Sequence, residues 1–480
     1  MKAFKPKFVL LTSFFFILLF CYTAISKMFD FENFQVQLAQ SPLTNAYSIS
    51  ISYAVILVEL IIVCLLCIPR LKLLGLHASF TLMSLFTIYI YLILNYSDNI
   101  PCSCGGVLEK LGWSEHLIFN LVCATIALIA VVMSTENKRK ILLAVVPAEI
   151  IIPSVLLTMT FYPVIKQNQD SFVRKIIDPF TSELKMIDLE KSNHYFAGNY
   201  NDTIFLANSK TPLLLRTVDP RFDKIKTDKI RLDDYSLKFR SVRINVLYPY
   251  FSLSDGKVPV IFEGELPSLD AHKTAVRNLY FSKLSPTGQH QYVFRAFVTK
   301  TKKSELGVLN TVENSYTLKP KVIESDVDGI FDVDGNLSVD MENRRILYTY
   351  LYRNEVVSAD LNLDNLEIFN TIDSFSRTDI KVKELSNGQT KMMQSPQEIN
   401  VRQTVFAGRV YNISKIRGKD ESFRDFRKSI VIDIYDLKKK KYLYSYKLKN
   451  EDRSPVKGIL RTKKYFYVLS SEGITRYAFK

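Results

Sequence analysis

Five stretches of this chain, residues 8–26, 48–68, 75–95, 115–133 and 141–163, are almost wholly apolar. Each is close to the roughly 20 residues that a helix needs to cross a bilayer. A hydrocarbon layer offers no water to unpaired amides, so runs of this kind cross it as helices whose hydrogen bonds are internal. Residues 1–165 are therefore expected to form an α-helical membrane bundle, four core helices plus a fifth span. At 480 residues the chain also exceeds what one core sustains, about 250–300 residues. After Pro163 it becomes charged and tyrosine-rich, and all six cysteines lie before that point. The expected division is a membrane domain over 1–165, a linker over 166–192 and a second domain over 193–480.

The first run follows Lys2, Lys5 and Lys7, a start that suits a signal peptide or an anchor. No small-x-small cleavage site follows, and Phe20 before Cys21 is wrong for a lipoprotein site, so it is read as a retained anchor. Basic residues beside spans resist translocation. They collect before the first run, between the second and third (Arg70, Lys72) and between the fourth and fifth (Lys138, Arg139, Lys140). The other two loops hold Lys27 and Lys110 against Asp30, Glu32, Asp98, Glu109 and Glu115. The expectation is an integral protein of the inner (cytoplasmic) membrane, N-terminus inside, with the second half extracytoplasmic (periplasmic). Most of the net charge of +15 falls in that half. Its charges are interspersed and no recognition motif accompanies them, so no nucleic-acid partner is expected.

The loop between the third and fourth runs reads "NIPCSCGGVLEKLGW" and ends on Trp113, the only tryptophan. Cys102 and Cys104 are close enough for a disulfide, but the ring would be small and strained. Strain makes such a bond labile and exchange-competent. Gly105 and Gly106 allow close approach of a partner. Soft-metal binding is the competing use of two thiolates, although zinc would want four ligands and only His116 is near. Structural pairing elsewhere is a third. No metal site is assigned. Cys21 and Cys123 fall near the outer ends of the first and fourth spans, placed as second partners or as small buried residues. Cys64 and Cys67 lie near the inner end of the second span and are read as packing residues.

Glu59 and Glu149 sit inside spans, where a carboxyl group is costly unless neutral or paired, so each is a functional candidate. His77 is read as an interface residue. The segment "DFENFQVQLAQSPL" places Phe31, Phe34 and Leu38 on one helical face behind Asp30 as N-cap, as a surface helix or a lid on the bundle. Trp113 is expected at the membrane interface as an anchor.

These features together, four spans, the outer segment, mid-span Glu59 and "PCSCGG" leading into "WSEHLIFN", resemble the membrane module of the methylamine utilisation protein MauE family, within the DoxX-like group. The resemblance covers residues 8–133 and extends toward 163. It implies a redox-associated membrane protein concerned with maturation of a disulfide-rich dehydrogenase. Cys102 and Cys104 match the family's thiol motif. The large second domain and the fifth span depart from it. A similar topology in vitamin K epoxide reductases implies electron exchange with a membrane quinone.

The second half shows short strands with turn signals. "RILYTYLY" and "YLYSYKL" alternate in the period of half-buried strands, while Asp255-Gly256 and Asp334-Gly335 mark hairpin turns. Strand–turn–strand units begin near Leu213, Leu279, Val356 and Val431. Repeated hairpins of this kind predict a six- or seven-bladed β-propeller. "DVDGIFDVDGN" mimics the start of a calcium loop, but Leu337 stands at the glycine position and Asn343 at the closing glutamate. Two hairpin turns are the preferred reading.

The functional expectation is a redox-associated membrane protein with an outward dithiol at Cys102 and Cys104, supported by Cys21, Cys123 and Glu59. Its expected partners are the lipid bilayer, a periplasmic thiol or client protein bound by the propeller, and a membrane quinone. The alternatives are a non-enzymatic membrane-anchored interaction protein with structural cysteines, and a copper or zinc carrier.

Overall fold

The computed structural model describes residues 4–41, 44–96, 112–135, 138–167, 169–189, 193–274, 276, 278–386, 388–394 and 396–480. It divides into two compact units. The first comprises residues 1–168 with 380–396, and the second 169–379 with 397–480.

In the first unit, α1 (Phe4–Phe29), α3 (Ser48–Cys67), α4 (Lys72–Tyr96) and α5 (Trp113–Ser134) form a bundle, with the short α2 (Phe31–Gln40) against α3. A π turn over Ile141–Val145 leads into α6 (Val146–Gln167), which packs on α4. Among the described residues five helices are long and apolar enough to cross a membrane. Only 17–39% of their apolar windows is buried within the protein, so most of each helix needs an apolar surrounding that the fold does not supply. This is a membrane protein. The buried stripe of α5 is Asn120, Cys123, Ala124, Ala127, Ala130 and Val131. Such small residues let helices approach where packing, rather than the hydrophobic effect, drives association. Gly75 serves the same purpose between α3 and α4, because a Cβ there would meet Leu66 Cδ2 at 2.8 Å.

The α2 helix is amphipathic as expected, with Phe34 and Leu38 buried. Asp30 occupies the N-cap, but its carboxylate accepts from the Asn33 side chain at 2.6 Å instead of capping the backbone. A two-stranded hairpin, Val382–Glu384 with Thr390–Met392, completes this unit. Its Ser386 hydroxyl donates to Glu32 at 2.9 Å.

The second unit is a β-propeller of six blades among the described residues. Five are built from consecutive strands within 194–229, 242–274, 283–319, 335–370 and 400–449. The sixth takes Gly458–Arg461, Tyr465–Leu469 and Gly473–Phe479 and is completed by Phe180–Asp188 from the other end of the domain. First strands of neighbouring blades lie side by side, and the ring closes where Gly458–Arg461 meets His194–Tyr200.

Four sequence expectations change here. The stretch read as linker supplies the closing strand, Phe180–Asp188, because an open ring would leave the edge of Gly473–Phe479 unpaired. Arg345–Tyr350, expected to be half-buried, is buried on both faces since blades stack on either side of it. Asp334-Gly335 is no hairpin turn, for Gly335 opens the first strand of its blade. In "DVDGIFDVDGN" the Asp332 carboxylate accepts backbone N–H groups of Asp326, Val327 and Gly329, and Asp328 accepts those of Ile330 and Phe331. The segment is one carboxylate-centred loop, not two hairpins.

Phe180 anchors the closure, 7% exposed, with its ring 4.9–5.3 Å from those of Tyr446, Tyr477 and Phe479. Phe180→Ala should cost about 3–5 kcal/mol, the range for truncating a buried aromatic. Near-ultraviolet circular dichroism during thermal unfolding of the solubilised protein checks this. An unchanged melting temperature would show that closure does not limit the domain's stability.

Candidate functional site

Glu59 falls in the buried stripe of α3, in line with Ser52, Ile56, Ile62 and Leu66. Helical spacing thus forces a carboxyl group into the bundle core. Lys27 meets it from the last turn of α1, where a cation is also favoured by the helix dipole. Lys27 Nζ donates to Glu59 Oε1 at 2.5 Å, and the Glu59 side chain is 1% exposed. The Phe34 ring of α2 lies 5.8 Å from the same ammonium.

This pair stands at the wall of a cavity of about 260 Å³. Leu19, Phe20, Met83, Phe86 and Phe119 supply apolar walls, and α2 contributes Phe34 and Leu38. The contribution of α2 to the cavity wall is compatible with both roles expected for it, a surface helix and a lid. On α5, Trp113, His116 and Asn120 line the cavity at i, i+3 and i+7, one helical face. Glu59 Oε2 and Asn120 Nδ2 are buried with no hydrogen-bond partner among the described residues. Buried polar groups rarely stay unpaired. A donor and an acceptor left open beside an apolar space define a place for a ligand with a polar head.

The other residues singled out from sequence divide sharply. Cys102 and Cys104 lie outside the described residues. Cys123 is buried in the bundle core beside Phe16 and Phe20, and Cys21 is half-buried on α1. Cys64 and Cys67 are exposed on α3, so they do not pack in the bundle as expected. His77 and Glu149, read separately from sequence, are partners, with His77 Nδ1 2.8 Å from Glu149 Oε1. Sequence reading missed Lys27 as the partner of Glu59, and it missed Asn120 altogether. A lone amide inside an apolar run, four residues after His116, was the available signal. Among the described residues no group of three or more His, Cys, Asp or Glu side chains could hold a metal ion.

The propeller has a groove of its own, about 560 Å³, between its second and third blades. Glu263 and Glu265 line it with Asp270, His272 and His290. Glu263 accepts from Tyr292 at 2.6 Å and Thr311 at 2.9 Å, and lies 2.7 Å from His290 Nδ1. Asp270 is already paired with Arg231 at 2.6 Å, which leaves Glu265 as the lining carboxylate with no hydrogen bond or ion pair among the described residues.

The protein thus joins a helical membrane unit, with a polar-headed cavity, to a six-bladed propeller. Residues 5–133 match the family model described as methylamine utilisation protein MauE, across the first four spans. No curated protein matches the chain. Among solved structures, a member of the DUF4221 family from Bacteroides vulgatus is 11% identical, with a TM-score of 0.41, covering 66% of this chain and 99% of that one. Virginiamycin B lyase from Staphylococcus aureus is 9% identical, with a TM-score of 0.38, over 62% and 99%. BamB from Moraxella catarrhalis is 10% identical, with a TM-score of 0.31, over 58% and 82%. Likeness at these levels assigns no ligand or activity.

The ion pair makes a quantitative prediction. Lys27→Met or Glu59→Gln alone leaves an unmatched group in the core and should cost about 3–5 kcal/mol. The double variant should recover much of that loss. Unfolding of the four proteins in detergent measures the coupling, and additive losses would show that the pair is not energetically linked.

Proposed function

We propose that this protein is a membrane-bound thiol–disulfide oxidoreductase of MauE type. In this reading the N-terminus is cytoplasmic, the Cys102/Cys104 loop faces the periplasm, and the propeller binds a protein client. The observation that supports it most is the attachment of that loop. Cys102 and Cys104 lie in sequence between α4 and α5, and both helices line the cavity, α4 through Tyr89 and Ile90 and α5 through Trp113 and His116. The motif is thus joined in sequence to two of the helices that wall the space holding Glu59 and Lys27.

The chemistry is a two-step exchange. The thiolate of one cysteine attacks a client disulfide, forming a mixed disulfide and expelling a client thiolate, which takes up a proton. The second cysteine then attacks the mixed disulfide, closes the Cys102–Cys104 bond and releases the other client thiol. Two electrons pass to the client, and the reverse sequence oxidises it. A strained ring keeps the bond exchangeable in both directions. Cys21 on α1 and Cys123 on α5 serve as secondary thiols in this reading, and Glu59 as a proton acceptor. The polar groove between the second and third blades is the client surface in this reading. Methylamine utilisation is the family context, and a disulfide-rich envelope protein is the client class.

Variants retaining only Cys102 or only Cys104 of the pair should trap a client as a reducible, higher-mass adduct in envelope preparations. A membrane-impermeant maleimide should label the wild-type pair far more after reduction than before. Failure of both single-cysteine variants to form any adduct, with a pair that never becomes reducible, would leave the interaction-protein reading in place.

A further inference from the structure

We propose that the cavity bounded by Lys27, Glu59 and Asn120 is the headgroup site of a lipid-soluble quinone. The proposal deepens the dithiol reading by naming its second electron partner, and its redox step rests on that reading. The binding argument stands on the cavity alone.

Size comes first. A cavity of about 150 Å³ admits benzene, so 260 Å³ holds a substituted quinone ring. The walls are apolar and belong to helices whose remaining surface needs hydrocarbon, which selects a membrane-soluble ligand. The polar end is more selective. Asn120 Nδ2 is a donor without an acceptor, and Glu59 Oε2 is an acceptor without a donor, among the described residues. Their residues are 2% and 1% exposed, so bulk water does not satisfy them. A quinone carbonyl accepts from Asn120, and the hydroxyl of the reduced form donates to Glu59. Both open groups belong to residues that line the same cavity, so each redox state of the ring has a partner there. An anionic lipid head fits less well, because Lys27 is already paired and the anion would face the Glu59 carboxylate.

The redox step balances. Quinone reduction to quinol takes two electrons and two protons, and closure of the Cys102–Cys104 dithiol to a disulfide releases the same. Glu59 and Lys27 are the groups beside the headgroup able to hold a proton in transit.

The sequence supplies its own reporter. Trp113 is the only tryptophan and lines the cavity, and an electron-poor quinone ring quenches indole emission at contact. Decyl-ubiquinone titrated into the full-length protein in nanodiscs should quench Trp113 saturably. Asn120→Leu should weaken binding roughly tenfold, the loss of one hydrogen bond in a dry site. Lys27→Met/Glu59→Leu, which leaves no unpaired charge, should do the same. Cys102→Ser/Cys104→Ser should bind as the wild type does. Quenching that is linear and equal in all variants would mean partition into lipid only and overturn the site, as would saturable displacement by oleate but not by quinone. Saturable binding without quinone-dependent loss of maleimide-reactive thiols would support the site and sink its coupling to the dithiol.

Discussion

A carboxyl group at a core position of a membrane helix cannot stand alone. The buried stripe of α3 puts Glu59 there, and Lys27 from α1 answers it. Charges in hydrocarbon interact far more strongly than in water, but their desolvation costs several kcal/mol, so such a pair holds only if its geometry is fixed. The ion pair therefore sets the register of α1 against α3. With α1 ending at Phe29 and α3 beginning at Ser48, the intervening chain has to turn back over the pair. This is where Phe34 of α2 is found, with its ring near the Lys27 ammonium. Only one oxygen of Glu59 is used by Lys27; the other has no hydrogen-bond partner among the described residues, and Glu59 lines the cavity that the surrounding helices leave.

The propeller solves a different problem. Its second strands are buried on both faces, so they read as nearly continuous apolar and tyrosine runs. Tyrosine is useful there because its ring fills the space between blades while its hydroxyl finds a backbone acceptor. Tyr348 donates to the Val333 carbonyl and Tyr350 to that of Glu324, tying strand to adjoining loop. Carboxylates in loops and at strand ends, such as Asp332 and Asp255, do the corresponding work for amide groups that no strand pairs.

What was legible in the sequence follows from the range of the forces involved. The spans were readable because hydropathy over 20 residues is a local signal, and the observed helices depart from the expected bounds by a few residues. Blade identity was less readable, since hairpins repeat at two levels. The units beginning near Leu213, Val356 and Val431 are third and fourth strands of their blades, whereas the one near Leu279 is a first and second. The closing strand was missed because its partner lies at the opposite end of the domain. The cavity was half visible: Glu59 stands out in an apolar run, but which cation meets it, and that Asn120 faces it, depends on helix packing that no single segment encodes.

Phe180–Asp188 has a consequence for how this protein comes into being. It leaves the ribosome first among the propeller's strands, while its partner Gly473–Phe479 leaves last. Pairings of such long sequence separation form late. Once Lys449 has been made, five complete blades and one open edge wait together, and the waiting strand starts at Phe180 in a chain whose last membrane helix ends at Gln167. The nascent domain is thus held at the bilayer with an unpaired edge until its end is delivered. That unpaired edge, rather than any finished blade, is the part of the nascent domain open to wrong pairing.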